Sequence, residues 1–300
     1  MSLSAYLAAH WPMLMEALGL GAGVGMLTGF FGAGGGFIIT PALNIFLGLE
    51  MNLAVGTSAC QVLGASTFSL WHHFDRRMPG IRVAMAIGGG IPAGTFLGAR
   101  LVEQLKDMPP WTIRGAAVDP VNLVLLAVFA VFLLAIALWM LYDAYFRCRG
   151  ENQCSCGLLG HFEIGPTYRF RTIPAGPFSI PVLVALGLGM GFLGGLLGIG
   201  GGVVMLPALV YLVGQDVKAA TKTTTLLIFV SGLFSTVFHA ARGNIDYVLA
   251  AALVCGAFFG ARWGAALHRR AGDRDICRYF ALVVLAAWLM VALKLANLFF

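Results

Sequence analysis

A chain of 300 residues that is 59% hydrophobic, only 11% charged and has a mean hydropathy of +0.88 carries more apolar surface than one soluble core can hide. An ordinary water-soluble globule is excluded, and a lipid bilayer is the expected surrounding. The net charge of +6 does not identify an anionic partner, since basic loops give membrane proteins the same balance; no nucleic-acid partner is read from it.

Apolar runs of about 20 residues, enough to cross ~30 Å of hydrocarbon as a helix, fall near 13–33, 53–74, 83–102 and 121–142. They recur near 180–200, 223–241, 247–267 and 280–300. No Lys or Arg precedes the first run and no small-residue cleavage site follows it, so no removable signal peptide is expected. The fold class that follows is an all-α integral membrane protein with about eight transmembrane helices.

The first run begins a pattern that the chain states twice. Every glycine from Gly21 to Gly36, followed by Pro41, Ala42 and Leu43, recurs without a gap from Gly187 to Leu209, 166 positions on. The register continues through His73 and His239, Arg76 and Arg242, and the trio Gly90, Gly94, Gly98 against Gly256, Gly260, Gly264. The organisation expected is two four-helix repeats, 1–141 and 180–300, joined by an extramembrane linker, 142–179. Four crossings return a chain to its starting side, so the simplest copies are parallel, about an axis along the membrane normal. A Gly-rich segment that entered and left by one face would make the count odd and invert them.

Clustered glycines cost roughly 1 kcal/mol each against Ala inside a helix, so Gly34, Gly35, Gly36 and Gly200, Gly201, Gly202 should break the first helix of each repeat. New half-helices are expected near Pro41 and Pro207. Broken spans at matching places point to a substrate site at mid-membrane, where freed backbone N–H groups can hold an anion; glycines that only allow tight helix crossing are the other reading. Thr57, Ser58 and Gln61 lie close by in sequence, with Thr223 and Thr224 in register with the two hydroxyls, and offer neutral donors; hydrogen bonding back to the helix is the competing use of any one hydroxyl. Lys222 faces an anion path or snorkels to the interface.

His73 with Arg76, and His239 with Arg242, close the second helix of each repeat three residues apart, on one helical face. A gate or a proton-coupling pair is one reading; interfacial cations marking the end of a span is the other. The Gly90 and Gly256 trios have the small-xxx-small spacing of packing faces. A polar loop with no span-length stretch is expected between Arg100 and Pro120, holding Glu103 and Lys106, and a small hairpin around Gly165-Pro166 in the linker. Cys148, Cys154, Cys156 and His161 have zinc-ligand chemistry but not the paired CxxC spacing, so no metal site is assigned to them. No cofactor is expected, and the chain has no Walker motif, nucleophile elbow or HExxH pair, which argues against an enzyme.

The doubled glycine segments at 23–43 and 189–209 resemble the TauE/SafE family of sulfite exporters, over roughly 14–102 and 180–299. The resemblance implies a secondary transporter in the bacterial inner membrane for a small sulfur-containing anion such as sulfite or an organosulfonate, with the six clustered glycines on the family's signature positions. A passive anion channel, and a membrane-anchored sulfur relay or sensor using the linker cysteines, are the alternatives. Whether the protein forms a homo-oligomer is left open.

Overall fold

The structure is a computed structural model, which describes residues 3–31, 35–73, 80–109, 111–113, 116–142, 165–169 and 177–299. The first half comprises α1 (Leu3–Phe31), α2 (Gly36–Phe46), α3 (Met51–His73), α4 (Ile81–Gly88), α5 (Ile91–Lys106) and α6 (Pro120–Tyr142). The second comprises α7 (Ile180–Leu197), α8 (Gly202–Pro207) running into a π turn at Ala208–Leu212, α9 (Val217–Ala240), α10 (Tyr247–His268) and α11 (Asp273–Phe299). Among the described residues, seven helices are long and apolar enough to cross a membrane, or eight if the bent pair α4 and α5 is one span.

That pair bends by 43° where three glycines, Gly88 to Gly90, stand together ahead of Pro92. The second half has Val254 and Cys255 at the first two of these positions, and α10 runs through without a break. α5 also continues to Lys106, so Glu103 belongs to a helix and not to the expected polar loop. The remainder of that segment holds a short hairpin, Trp111–Ile113 with Ala116–Val118. In the linker, Thr167–Arg169 pairs with Pro177–Ser179, so Gly165-Pro166 precedes the first strand and does not form the turn.

The half-helices begin at Gly36 and Gly202, five residues before the prolines around which they were expected. Left-handed backbone at Gly35 (φ 63°) and Gly201 (φ 72°) sets the start, a conformation that costs a Cβ-bearing residue and not glycine. Pro41 and Pro207 fall inside the helices that follow. After Pro207 the helix widens, closing a Val213 N–H to Ala208 carbonyl bond of 3.1 Å.

Helix directions come from the order of their contacts. Along α1, a Cβ placed at Gly21, Gly25 or Gly29 would strike the backbone of Leu253, Ala257 and Ala261 in turn, so α1 and α10 run parallel. Gly187, Gly191 and Gly195 of α7 meet Ile87, Ile91 and Thr95 in the same sense. Thr57 and Phe68 of α3 meet Asp246 and Phe258, so α3 is parallel to α10. Phe96 and Glu103 of α5 meet Phe238 and Arg242, so α5 is parallel to α9. Gly56 of α3 lies against His239 and Leu63 against Gly232, which makes α3 and α9 antiparallel.

Two sets result: α1, α3 and α10 point one way, and α5, α7 and α9 the other. Each of these helices is therefore antiparallel to its counterpart 166 residues away. The expectation of parallel copies is corrected: α1 and α3 share a direction, so the chain returns between them. Thr40 of α2 meets Ser58, and Gly36 meets Val62, which shows α2 running back against α3. The segment from α1 through α2 thus enters and leaves by one face, and the relating axis lies in the membrane plane.

The small-residue faces pack across the halves. Gly256, Gly260 and Gly264 seat on α1, while Gly90, Gly94 and Gly98 seat on α7. The glycines of the first run, Gly21, Gly25 and Gly29, are the facing surface, so each interface is small on both sides and the backbones touch. Outward, Trp71 (85% exposed) and Trp263 (76%) stand near the far ends of the parallel helices α3 and α10, as aromatic side chains do at a membrane interface.

Candidate functional site

The two glycine breaks meet. Gly36 lies against the backbone of Ile199, within 2.9 Å of where its Cβ would be, and also against Val62. Gly200 lies against Val62 and Ile228. Val62 and Ile228 fall at the midpoints of α3 and α9, so the breaks touch halfway across the membrane-spanning bundle. Of the glycines expected at this place, Gly36 and Gly200 stand at the contact, Gly35 lies against Val24 and Thr28 and Gly201 against Met190 and Met205, and Gly202 begins α8; Gly34 lies outside the described residues.

Ser58 ties the arrangement together. Its hydroxyl lies 2.7 Å from Thr40 Oγ1 of α2, 2.9 Å from the Val55 carbonyl and 3.2 Å from the Gly198 carbonyl of the other break. Thr40 in turn reaches the Gly36 carbonyl at 3.0 Å. A buried hydroxyl pair of this kind is worth about 1 kcal/mol net and leaves a costlier unpaired group when only one partner is removed. Thr40→Val is therefore expected to lower stability by about 1–2 kcal/mol, read as a lower melting temperature in detergent. An unchanged melting point would show that Ser58 re-pairs without loss.

Adjacent residues have separate tasks, because one step along a helix turns 100°. Thr57 accepts the Asp246 N–H at 3.1 Å, and Asp246 caps α10 by accepting from Val248 and Leu249; Thr57 is thus a structural joint. Thr223 donates to the Ala219 carbonyl at 3.0 Å and stands against Gly80. Lys222 is partly exposed and lies two residues, some 200°, round α9 from Thr224. These three are not brought to the meeting of the breaks.

Gln61 and Thr224 are fully buried, and the Gln61 amide atoms and the Thr224 hydroxyl have no hydrogen-bond partner among the described residues. The same holds for Ser231 Oγ and Ser235 Oγ. Their neighbours differ: Thr221, Thr223 and Thr225 all bond to carbonyls four residues back. A methyl group at Gly194 would stand 2.7 Å from Ser231 Oγ and 3.3 Å from the Gly201 nitrogen, which puts Ser231 beside the second break. Among the described residues, no Asp, Glu, Lys or Arg is buried. The contacts at the breaks are formally neutral, made by backbone groups and by the hydroxyls of Thr40, Ser58 and Ser231.

At the end of α9, His239 is buried with Nε2 3.2 Å from the Gly195 carbonyl. Its Nδ1 has no partner among the described residues. Arg242 Nε donates to Glu103 Oε2 at 2.7 Å, a contact between the halves. Arg76 and the His73 side chain lie outside the described residues, as do Cys148, Cys154, Cys156 and His161. Among the described residues, no group of three His, Cys, Asp or Glu side chains is placed to hold a metal. Thr40, Ser231 and Ser235 are polar residues that sequence reading did not name, and Glu103 was expected in a loop and not opposite Arg242. For the two serines the signal was present as offsets of seven and eleven from Thr224, one face of a helix.

The family pattern described as Sulfite exporter TauE/SafE matches residues 17–291. Among curated proteins, the chain is 28% identical to "Probable membrane transporter protein YunE" of Bacillus subtilis (strain 168), covering 91% of this chain and 94% of that one. It is 26% identical to a "Probable membrane transporter protein" of Xylella fastidiosa (strain 9a5c), with coverage of 93% and 94%. To "Probable membrane transporter protein YdhB" of B. subtilis it is 22% identical, with coverage of 80% and 86%. No solved structure matches.

Proposed function

Because this membrane transporter belongs to the TauE/SafE family of sulfite exporters, we propose that it is a secondary transporter exporting sulfite or a small organosulfonate across a bacterial inner membrane. The observation that carries the reading is the contact of the two breaks at half depth, beside buried neutral donors without partners. A buried anion is tolerated only where hydrogen bonds replace its lost hydration. Hydroxyls and backbone N–H groups supply them without a fixed cation that would hold the anion too tightly to release.

In this mechanism the breaks and the Thr224, Ser231 and Gln61 side chains receive the sulfur-bound oxygens, and the two halves rock about the meeting point to alternate access. The inverted relation of the helices supports such an exchange, since each half can close the route the other opens. His239 serves proton coupling at one end, with His73 as its register mate.

The test is flux of labelled sulfite in proteoliposomes, with methanesulfonate as competitor and with or without an imposed pH gradient. Saturable flux is expected, with KM raised about tenfold in Thr224→Val and in Gln61→Leu, the size of one lost charge-assisted hydrogen bond. His239→Gln should keep downhill flux and lose its response to the pH gradient. Flux that is linear in concentration and indifferent to pH would instead describe a passive channel.

A further inference from the structure

We propose that one face of α9 is the passage for a small oxyanion between the meeting of the breaks and one membrane surface, lined by Ser231 and Ser235 and latched at its mouth by Arg242 with Glu103. The inference rests on the central site proposed above and adds its route of access. Thr224, Ser231, Ser235 and His239 stand at offsets of 7, 11 and 15, which at 100° per residue keeps them within an arc of about 80°. Ser231 is at the level of the break, opposite Gly194 and Gly201. His239 reaches Gly195, and Arg242 marks the end of the span. From Ser231 to Arg242 the helix rises about 16 Å, half the ~30 Å thickness of the hydrocarbon.

Three features separate this face from an ordinary buried helix surface. Ser231, Ser235 and His239 are each 1% exposed or less, yet Ser231 Oγ, Ser235 Oγ and His239 Nδ1 have no partner among the described residues. Thr221 and Thr225 of the same helix satisfy themselves on their own backbone, so not every hydroxyl of α9 is free; Thr236 Oγ1, about 100° round from Ser235, is free as well. The opposing surface at Gly194 and Gly195 has no side chains. Unpaired hydroxyls in hydrocarbon are costly, and those of Ser231 and Ser235, running from the central site toward one surface, suit a permeating oxyanion; with Nε2–H donating to the Gly195 carbonyl, His239 Nδ1 is an acceptor and adds no donor to them.

The mouth carries the charge that the centre lacks. Arg242 and Glu103 side chains are 21% and 45% exposed, and a pair so open to solvent is weak. Closed, it joins the end of α9 to the end of α5 and cancels the guanidinium charge. Open, it leaves Arg242 facing an arriving or departing anion. Glu103 thereby acts as a gate residue through Arg242 and not as a ligand.

The passage is tested by placing Cys at Ser231, Ser235 and, as a lipid-facing control, Leu233, which is 40% exposed. Each is made in the native chain and in one with all six native cysteines replaced by Ser. Vesicles are treated from either face with anionic sulfonatoethyl or cationic trimethylammonioethyl methanethiosulfonate. Ser235→Cys and then Ser231→Cys should react with the anionic reagent from one face only, with Leu233→Cys unreactive. Glu103→Gln should speed both about fivefold, as expected of a weak surface pair, and exchange of the charges by Glu103→Arg with Arg242→Glu should restore the slower rate. Cysteines that stay unreactive in the Glu103→Gln chain, or that prefer the cationic reagent, would overturn the passage. No transported substrate is needed: unreactive cysteines alongside intact sulfite flux would remove the passage and keep the central site, while labelled cysteines without sulfite flux would do the reverse.

Discussion

Gly260→Ala is expected to destabilise the folded protein by about 2 kcal/mol, the range of overpacking against atoms that cannot turn aside. The added methyl meets the Ala22 carbonyl oxygen and stands 2.7 Å from the Met26 nitrogen, both backbone. Separating α1 from α10 to make room loosens their contact along several turns. Intrinsic helix preference works in the opposite direction, since Ala is favoured over Gly by roughly 1 kcal/mol in a helix. Gly23→Ala isolates that second effect: it lies on α1, the helix on which Gly260 seats, and nothing lies within 4 Å of its Cβ position. A melting curve in detergent should therefore show Gly260→Ala lowered by several degrees and Gly23→Ala unchanged or raised. Gly94→Ala, on the separate interface with α7, should match Gly260→Ala, and the two losses should add. Equal behaviour of all three variants would mean that the glycines are not contact residues.

The contrast between Gly23 and Gly25 shows what sequence alone could and could not tell. The spacing of Gly90, Gly94 and Gly98 announced a packing face, but a spacing names no partner. The third span of each half seats on the first span of the other, and only the fold displays this exchange. Helix direction was hidden for a related reason. Counting apolar runs gives four per half and parallel copies, while the half-helices are too short to count as spans and yet reverse the chain. Whether an 11-residue helix such as α2 continues or turns back depends on left-handed backbone at residues such as Gly35 and Gly201, which composition permits without requiring.

Within the site, reliance on duplication was both a guide and a blind spot. It pointed to Ser58, which joins the two breaks, to Thr224 at the same register position, and to the breaks themselves. It also grouped Thr57 with Ser58, although 100° of rotation gives one to the cap of α10 and the other to the centre. Ser231 escaped notice because its counterpart in α3 is Ala65, whereas Ser235 has Ser69 at its register position and was passed over as an ordinary helix hydroxyl. An exchange of roles between halves needs inverted symmetry of the backbone; it does not need identical side chains along both paths. The asymmetry of α9 against α3 is thus a feature that a search for repeated residues removes from view.

Gly36→Ala is expected to reduce sulfite flux at least about tenfold, a change equivalent to ~1.4 kcal/mol in the barrier to the transport step. Gly36 is the first residue of α2, where Ala is a better helix former, so the half-helix itself is not weakened. The cost falls on the meeting of the breaks. The new methyl would stand 2.8 Å from Val62 Cγ2 and 2.9 Å from the Ile199 Cα and carbonyl oxygen, forcing apart two backbones that, in the proposed mechanism, move against each other as access alternates. Val62 is a side chain and can be shortened, whereas the Ile199 backbone cannot. Combining Gly36→Ala with Val62→Ala should therefore recover part of the flux and not all of it, and the difference between the double variant and the sum of the singles measures the coupling. Initial rates in proteoliposomes, normalised to protein that elutes as a single species, provide the reading. Unimpaired flux in Gly36→Ala would place the moving contact elsewhere and leave the breaks as packing alone; full recovery in the double variant would assign the whole effect to Val62 and remove Ile199 from the mechanism.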